Sequence, residues 1–333
     1  MRAWFVIAAV LSASLVGAAT SAQSQPDSRA PEIRLVVKDI WLLRGSFPPK
    51  REPDGNTVIF RAPEGLIVLD TGRHPWHQEA ILQFARTLPA PIVAIVNSHW
   101  HLDHTSGNAR ILRDYPAARV IASRAIESAL GGFLTKSAAD TRAYLASGKA
   151  DPATAEDLRG DLAVIEDPAS LRPDTPIESS QRMLIAGRAL DVRLAPDAAT
   201  AGDVWLYDRK ARVAAVGDLV TLPAPFLDTA CPAGWRWALD EIWATPFQIA
   251  LPGHGPPLSR EAFAAWRTAF DALMDCSASP KPKETCAAAW VEGVRPLLDP
   301  GKLALDRATG MTEDYVELLR ANGGKSPFCR TAG

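Results

Sequence analysis

The stretch that decides the fold is Ser98-His99-Trp100-His101-Leu102-Asp103-His104. It contains three of the six histidines in the 333-residue chain, together with a carboxylate, so a chance cluster explains it poorly. Just before it, the apolar run 92–97 is typical of a strand buried on both faces. Neutral imidazole and carboxylate are ligands that zinc prefers, and a strand end presents them at a rigid, open edge. The sequence therefore predicts a metal site where this strand ends.

The spacing within the stretch indicates two metal positions. His99 and His101 alternate in step, so both side chains can face one ion. Asp103 and His104 follow in the turn and point towards a second position. The competing interpretation is a purely structural cluster of hydrogen-bonded histidines.

Residues 99–104 match the His-x-His-x-Asp-His motif of the metallo-β-lactamase superfamily, and three further stretches resemble that family in the right order. These are Gly65-Leu66-Ile67-Val68-Leu69-Asp70-Thr71-Gly72, Gly217-Asp218 and Pro252-Gly253-His254-Gly255. The resemblance runs through residues 33–258. It implies an α/β fold, an αββα sandwich of two mixed β-sheets flanked by helices, with the metals at one edge of the paired sheets.

The resemblance also implies a ligand set. One metal would take His99 and His101, the other Asp103, His104 and His254, with Asp218 bridging the two. Asp70 would support a ligand or its loop by hydrogen bonding, a role compatible with capping a strand end in a tight turn. Asp103 or Asp218 would carry a proton to the leaving group.

One departure from the family pattern concerns the stretch Ala198-Ala199-Thr200-Ala201-Gly202-Asp203. Alanine occupies position 199, where the family normally has a further histidine ligand. The His99/His101 position therefore lacks its third imidazole, whereas the Asp103/His104/His254 position is intact. Asp197 is a candidate substitute ligand, and an ordinary loop residue is the alternative. The sequence leaves open whether one or two ions bind.

Other residues near these motifs have weaker assignments. His74 and His77 are interpreted as surface residues in a turn and at a helix start. Trp100, between two ligands, either shapes the pocket or packs in the core. The apolar segment 220–237 follows Asp218 and is expected to be a loop that borders the active site, with core packing as the alternative of equal weight.

The rest of the chain predicts one domain from residue 33 to 333. Strand-like runs occupy residues 33–37, 40–43, 56–61, 65–70, 118–122, 183–194, 203–207 and 213–216, and helical patterns occupy 77–88 and 124–134. Residues 136–166 are expected to form a helical hairpin, either a lid over the core or a solvated decoration. Residues 259–333 form a helical extension, with helices at 259–274, 286–298 and 312–321. A strand-rich half, a helical cover and a second strand-rich half indicate two sheets with helices outside.

Both the N-terminus and the cysteines indicate export. Met1 and Arg2 precede an apolar run to Ala19 and small residues at 20–22, which predicts a signal peptide over residues 1–22. A membrane anchor is the alternative. Four cysteines suit an oxidising compartment, with Cys276–Cys286 as the first predicted disulfide and Cys231–Cys329 as the second. We expect a periplasmic or secreted protein.

Composition narrows the function further. A net charge of −2 and a pI near 6.3 do not provide the basic field of a nucleic-acid-binding protein, and they disfavour anionic membrane surfaces. The site predicts a zinc-dependent hydrolase, with one or two ions and with iron or manganese as alternative metals. Its small-molecule substrate would contain an ester, lactone, thioester or amide-like bond. A β-lactamase and a metal-binding or relay protein with little turnover are the alternatives.

Overall fold

Two β-sheets form the centre of the protein, whose computed structural model describes residues 30–329. Within those residues, the first sheet has seven strands in the order β1 (Ile33–Val37), β2 (Ile40–Leu43), β3 (Thr57–Ala62), β4 (Gly65–Leu69), β5 (Ile92–Val96), β6 (Arg119–Ser123) and β7 (Thr175–Ile177). Pairing is antiparallel from β1 to β4 and parallel from β4 to β7. The first sheet is therefore mixed.

The second sheet is also mixed. Its described strands are β8 (Gln181–Ile185), β9 (Arg188–Ala195), β10 (Asp203–Asp208), β11 (Val213–Gly217), β12 (Ile249–Pro252) and β13 (Leu258–Ser259). Their spatial order is β13-β12-β11-β10-β9-β8. The β11–β12 pair is parallel and the other pairs are antiparallel.

The helices cover the outer faces of the sheets and the edge near the site. They are α1 (Pro75–Thr87), α2 (Leu102–Thr105), α3 (Asn108–Asp114), α4 (Ala125–Gly131), α5 (Phe133–Ala146), α6 (Pro152–Glu166), α7 (Pro232–Ala244), α8 (Arg260–Ser277), α9 (Lys283–Val294) and α10 (Lys302–Ala321). In the described part of the chain, no helix is long and apolar enough to cross a membrane.

Alternation along each strand explains the layering. In β3, Val58 and Phe60 enter a core between the sheets, whereas Ile59 faces a second core beneath α1 and α3. In β11, Ala215 faces the same inter-sheet core and Val216 faces a third, beneath α7 to α10. Successive strand residues point to opposite faces, so a strand apolar on both sides needs cover on both sides. The predicted αββα sandwich of two mixed sheets is thus confirmed.

Several predicted helix boundaries differ from the observed ones. Residues 124–134 form two helices, because the backbone at Gly132 (φ −131°, ψ −98°) is not helical and separates α4 from α5. The last helix, α10, begins at Lys302 rather than near residue 312. Residues 232–237, expected to be loop, begin α7, which buries Trp235, Ala238, Leu239 and Ile242 at helical spacing.

Both predicted cysteine pairs are disulfides. Cys276–Cys286 links α8 to α9, and Cys231–Cys329 joins the start of α7 to the C-terminal segment. In the region predicted as a helical hairpin, α5 and α6 pack against each other. The predicted signal peptide lies outside the described residues.

Candidate metal centre

The six predicted ligands come from three chain segments that meet at one edge of the two sheets. His99, His101, Asp103 and His104 follow β5, with the last two on the short helix α2. Asp218 follows β11, and His254 follows the parallel neighbour β12. Since these strands end at the same edge, their following residues converge there.

Two overlapping groups of side chains are suited to hold metal ions. One comprises His99, His104 and Asp218, and the other comprises Asp103, His104 and His254. Within each group the ligand atoms lie within 4.8 Å of one another, and every member is buried. The Nε2 atom of His104 is 3.3 Å from Nε2 of His254 and 3.2 Å from Asp218 Oδ1. His101 stands beside the first group, with its Nδ1 3.0 Å from His99 Nε2.

Asp70 sets the orientation of two of these imidazoles. Its Oδ2 accepts hydrogen bonds from the Ser98 hydroxyl at 2.6 Å and from His104 Nδ1 at 2.8 Å, and its Oδ1 accepts the Ser98 amide at 2.7 Å. Since the Ser98 hydroxyl donates to Asp70, it accepts from Nδ1 of His99, 3.0 Å away. Both imidazoles therefore carry a proton on Nδ1 and turn Nε2 towards the site, where it is free to bind a metal ion once unprotonated.

His101 has the opposite tautomer because of Thr229. The Thr229 hydroxyl donates to the Ala199 carbonyl at 2.9 Å, so it accepts from His101 Nε2, 3.2 Å away. The unprotonated Nδ1 of His101 then faces His99 Nε2. Thr229 belongs to the segment 220–237, but nothing in its spacing singled it out from the sequence.

Ala199 is 1% exposed and its methyl group supplies no ligand atom. Asp197 is partly exposed and lies outside both candidate ligand groups. It adopts a left-handed conformation with φ 51°, in the turn that follows β9. The structure thus brings His99, His101, Asp103, His104, Asp218 and His254 together, and within the described part of the chain Asp197 forms no hydrogen bond or ion pair with any of them.

The electrostatics of the site suit bound cations. Burial disfavours charge on Asp218, but His104, His254 and His99 outweigh burial and lower the pKa of its carboxyl. Burial likewise disfavours charge on Asp103, yet His104 and His254 hold its pKa well below the usual value. Both carboxylates are therefore ionised.

A separate observation indicates that a metal ion fits these residues. Both Asp218 oxygens and Asp103 Oδ2 are buried and accept no hydrogen bond of normal geometry, although imidazole Nε2 atoms lie 2.9 to 3.7 Å from them, the nearest being His254 Nε2 beside Asp103 Oδ2. Buried charges normally pair, hydrogen-bond or coordinate metals. Ionised oxygens that converge on imidazole lone pairs are the donor set that zinc prefers.

Close backbone approaches hold the ligands in place. A Cβ at position 253 would lie 1.9 Å from Asp218 Oδ1, and one at position 55 would lie 2.4 Å from the His104 ring, so both positions require glycine. The Asn56 side chain donates to the carbonyls of Pro252 and Gly255, on either side of the His254 turn.

A cavity of about 460 Å³ opens over Asp103 and His101. Its walls combine aromatic side chains, among them Phe47, Trp100, Phe133 and Phe226, with polar and charged ones. The ring centroid of Phe226 is 5.0 Å from that of His254. The segment 220–237 serves both predicted roles, because Phe226 and Asp228 line the cavity while Leu222 and Leu227 pack in the core.

The prediction that His74 and His77 lie on the surface is wrong. They are 2% and 1% exposed. His74 Nδ1 is 2.7 Å from Asp54 and its Nε2 is 3.1 Å from Asp157 on α6. His77 Nε2 is 2.9 Å from the Thr57 hydroxyl. The polar partners that allow this burial are distant in sequence, so local spacing did not reveal them.

Helix α6 is tied to the body of the protein beside the cavity. Asp161 on α6 pairs with Arg73, whose Nη2 is also 3.8 Å from Oδ1 of Asp103. Arg51 Nη1 is 2.5 Å from Asp157. Charge pairs thus connect the helical cover to a candidate metal ligand.

Comparison with known proteins identifies the family. Residues 51–258 match the profile of the metallo-β-lactamase superfamily. The chain belongs to this superfamily. It is 28% identical over 224 residues to a linear primary-alkylsulfatase from Pseudomonas sp. (strain ATCC 19151). That alignment covers 60% of this chain and 41% of the alkylsulfatase, so the chain matches under half of that relative.

Solved structures share the fold of this superfamily member. A metallo-β-lactamase from Pontibacter korlensis superposes with a TM-score of 0.52 at 18% identity, covering 72% of this chain and 99% of that one. The stereoselective inverting sec-alkylsulfatase Pisa1 from Pseudomonas sp. gives a TM-score of 0.57 at 18% identity, covering 87% of this chain and 50% of that one. At such identities the likeness establishes the fold alone.

Proposed function

We propose that the protein is a zinc-dependent hydrolase that uses a metal-activated water to cleave an ester, lactone, thioester or amide-like bond in a small molecule. One observation carries the proposal. Two His/Asp groups share His104 and contain buried carboxylate oxygens that accept no well-aligned hydrogen bond, and Asp103 lines an adjoining cavity. In a purely structural histidine cluster those oxygens would be expected to accept well-aligned hydrogen bonds from the protein, which none of the three does here.

In this proposal Asp103, His104 and His254 would hold one ion, and His99 and His101, with Asp218 beside them, would hold a second. A bound zinc ion lowers the pKa of a coordinated water from about 15.7 to about 7 and polarises the bond under attack. Of the two candidate proton carriers, Asp103 is among the residues that line the cavity and Asp218 is not. We therefore assign proton transfer to the leaving group to Asp103.

The protein supplies orientation and exclusion of water as well. Asp70 and Thr229 fix the tautomers of three imidazoles, so the lone pairs point inwards without rearrangement. Trp100 and Phe226 line the cavity with rings that keep bulk water from the reacting bond. Low local polarity strengthens the electrostatic interactions there.

Export to the periplasm or outside the cell is part of the proposal. It is supported by the apolar N-terminal run and by two disulfides, since disulfides persist in oxidising compartments. Sulfate esters join the substrate panel because the relatives include alkylsulfatases. Nucleic acid and membrane partners are not proposed, given the net charge of −2.

The first test is metal content per chain in protein purified without chelator, followed by turnover of a panel of esters, lactones, thioesters, β-lactams and sulfate esters. Near two equivalents would favour a dinuclear enzyme and near one a mononuclear enzyme. No bound metal would refute the proposal. Asp103→Asn should abolish turnover, whereas Asp208→Asn, which changes a buried carboxylate at the far end of β10, should preserve it.

Two alternatives predict different results on the same panel. A β-lactamase would hydrolyse the β-lactams in preference to every other substrate class. A metal-binding or relay protein, motivated by alanine at position 199, would bind metal and turn over nothing on the panel.

A further inference from the structure

One face of α10 forms a wall of the cavity above the candidate metal centre. Arg307, Met311 and Tyr315 are spaced four residues apart, so they lie on one side of the helix, and all three line the cavity. Helix α10 lies outside the residues that match the superfamily profile. What this helix contributes therefore lies outside the part of the chain that matches the superfamily profile.

Arg307 is the unusual residue of that wall. Its Nη1 donates to the Phe47 carbonyl at 3.0 Å, and its guanidinium carbon lies 5.1 Å from the centroid of the Phe47 ring. Among the described residues, no carboxylate oxygen lies within 4.0 Å of the guanidinium nitrogens of Arg307. Burial lowers the pKa of Arg307, and no neighbouring anion offsets that shift.

The other arginine of the cavity differs. Arg73 is paired with Asp161 and lies 3.8 Å from Asp103. Its charge is therefore already neutralised by the protein. Arg307 offers guanidinium donors that no protein carboxylate uses, in a geometry that matches a planar or tetrahedral oxyanion.

Phe47 relates Arg307 to the metal centre. The Phe47 ring centroid lies 5.2 Å from that of His254, while the guanidinium lies over the same ring at 5.1 Å. A single aromatic ring thus separates the free cation from a candidate metal ligand. A ligand along this wall would meet the metals at one end and Arg307 at the other.

We propose that Arg307 binds a negatively charged group of the substrate, a carboxylate, sulfate or phosphate, that an apolar spacer about one ring long separates from the bond that is cleaved. The inference rests on the proposed function and adds the substrate class. The substrate is an anionic amphiphile whose apolar part contacts Phe47, Phe226 and Met311.

Four carboxylates line the cavity, namely Glu52, Asp103, Asp161 and Asp228; Asp103 and Asp161 lie beside Arg73, and among the described residues none of the four forms an ion pair with Arg307. Asp228 Oδ2 accepts the Tyr315 hydroxyl at 2.7 Å, two helical turns from Arg307. An anionic group would therefore avoid the Tyr315 end and favour the Arg307 end. Arg307 and Phe47 also line a neighbouring cleft of about 510 Å³. An anion bound there would leave ester hydrolysis unchanged, which the test below detects.

The test compares two substrates of equal length, the p-nitrophenyl monoester of glutaric acid and its terminal-amide analogue. They are assayed with wild type, Arg307→Met, Arg307→Lys and the control Lys302→Ala. Lys302 is an exposed cation on the same helix, so its loss changes net charge without touching the cavity. Arg307→Met keeps an apolar stem over Phe47 while removing the charge.

We expect Arg307→Met to lower kcat/KM for the anionic ester by about 10- to 100-fold, the effect of losing a charge-assisted hydrogen bond. The amide analogue should change by no more than about twofold, and Arg307→Lys should retain part of the preference. Equal losses on both substrates, or no loss, would overturn the assignment of Arg307 while leaving the hydrolase proposal intact.

A binding measurement separates the two proposals. Calorimetric titrations with hexanoate and hexyl sulfate are compared with hexanamide in all four proteins at matched metal content. If wild type hydrolyses neither ester, the proposed activity on esters fails, and these titrations decide the role of Arg307. Weaker binding of the anions to Arg307→Met than to Lys302→Ala supports it, and equal binding refutes it.

Discussion

Replacing Asp70 with asparagine should weaken metal binding without unfolding the protein. The side chain is 1% exposed and accepts three hydrogen bonds, two from Ser98 and one from His104. Asparagine has the same shape and tolerates the left-handed backbone at this position, where φ is 61°. However, it has one acceptor oxygen and carries no charge, so it cannot accept the Ser98 amide on one side and both the Ser98 hydroxyl and His104 Nδ1 on the other.

The magnitude follows from what Asp70 controls. Its loss releases the tautomer of His104 directly and that of His99 through Ser98. Removing the outer partner of a ligating histidine typically weakens metal affinity by about 10- to 100-fold, or roughly 1.4 to 2.8 kcal/mol. Because one carboxylate serves two ligands, we expect the upper part of that range.

The assay is competition for zinc against a chelator of known affinity, with thermal unfolding of the metal-free proteins measured in parallel. Asp208→Asn is the matched control. Asp208 is a 3% exposed carboxylate that accepts from Arg188 and the Ala211 amide, and it ends β10 at the edge opposite Asp218. Zinc affinity of Asp70→Asn equal to wild type, or equal loss in both variants, would refute the reasoning.

Four other substitutions or conditions give further predictions. Ala199→His should raise zinc affinity at the His99/His101 position despite about 1–3 kcal/mol of overpacking, with Ala198→His as the control for packing alone, both measured by zinc titration. Thr229→Val should weaken zinc binding at the same position several-fold by freeing the His101 tautomer; unchanged affinity would contradict that role. Breaking the disulfide at Cys329 should lower the free energy of unfolding by about 2–5 kcal/mol in urea, and more than breaking the one at Cys276, since their partners are 98 and 10 residues away. Burial lowers the His74 pKa, but Asp54 and Asp157 outweigh burial and raise it, so His74 stabilises the fold below pH 6.5 and this stabilisation is lost as pH rises through the higher folded pKa. Urea unfolding of wild type and His74→Gln across that range checks the sign.

The sequence predicted those parts of the site whose residues lie close together in the chain or whose motifs follow one another in the order typical of the family. The apolar run 92–97 followed by His99 placed the ligands at a strand end because burial on both faces leaves few alternatives to a central strand. Alternation in β3 and β11 then required layers on both sides of each sheet. The cysteine pairing could be predicted because two of the cysteines are only 10 residues apart, which left the other two to pair with each other.

The parts that the sequence did not predict depend on contacts between distant segments. His74 is buried because Asp157 lies 83 positions later and Asp54 lies in a separate loop. The start of helix α7 was missed because its periodic signal, at Trp235, Ala238, Leu239 and Ile242, lies mostly beyond the segment 220–237 that was interpreted as a loop. Proline in the first turn is compatible with a helix because its missing amide is not needed there.

Alanine at position 199 makes the two metal positions of the centre unequal. The surrounding contacts indicate which of the two positions binds a metal ion more tightly. Asp103, His104 and His254 combine an anionic ligand with two imidazoles, one of them held by Asp70. His99 and His101 have no third imidazole, and Thr229 supports His101 only through its outer nitrogen. More ligands and more negative charge bind a divalent ion more tightly. The position at Asp103 should therefore bind zinc first and release it last. A zinc titration should show two steps. Because Asp218 is shared by both positions, the affinity of the second step should depend on the first.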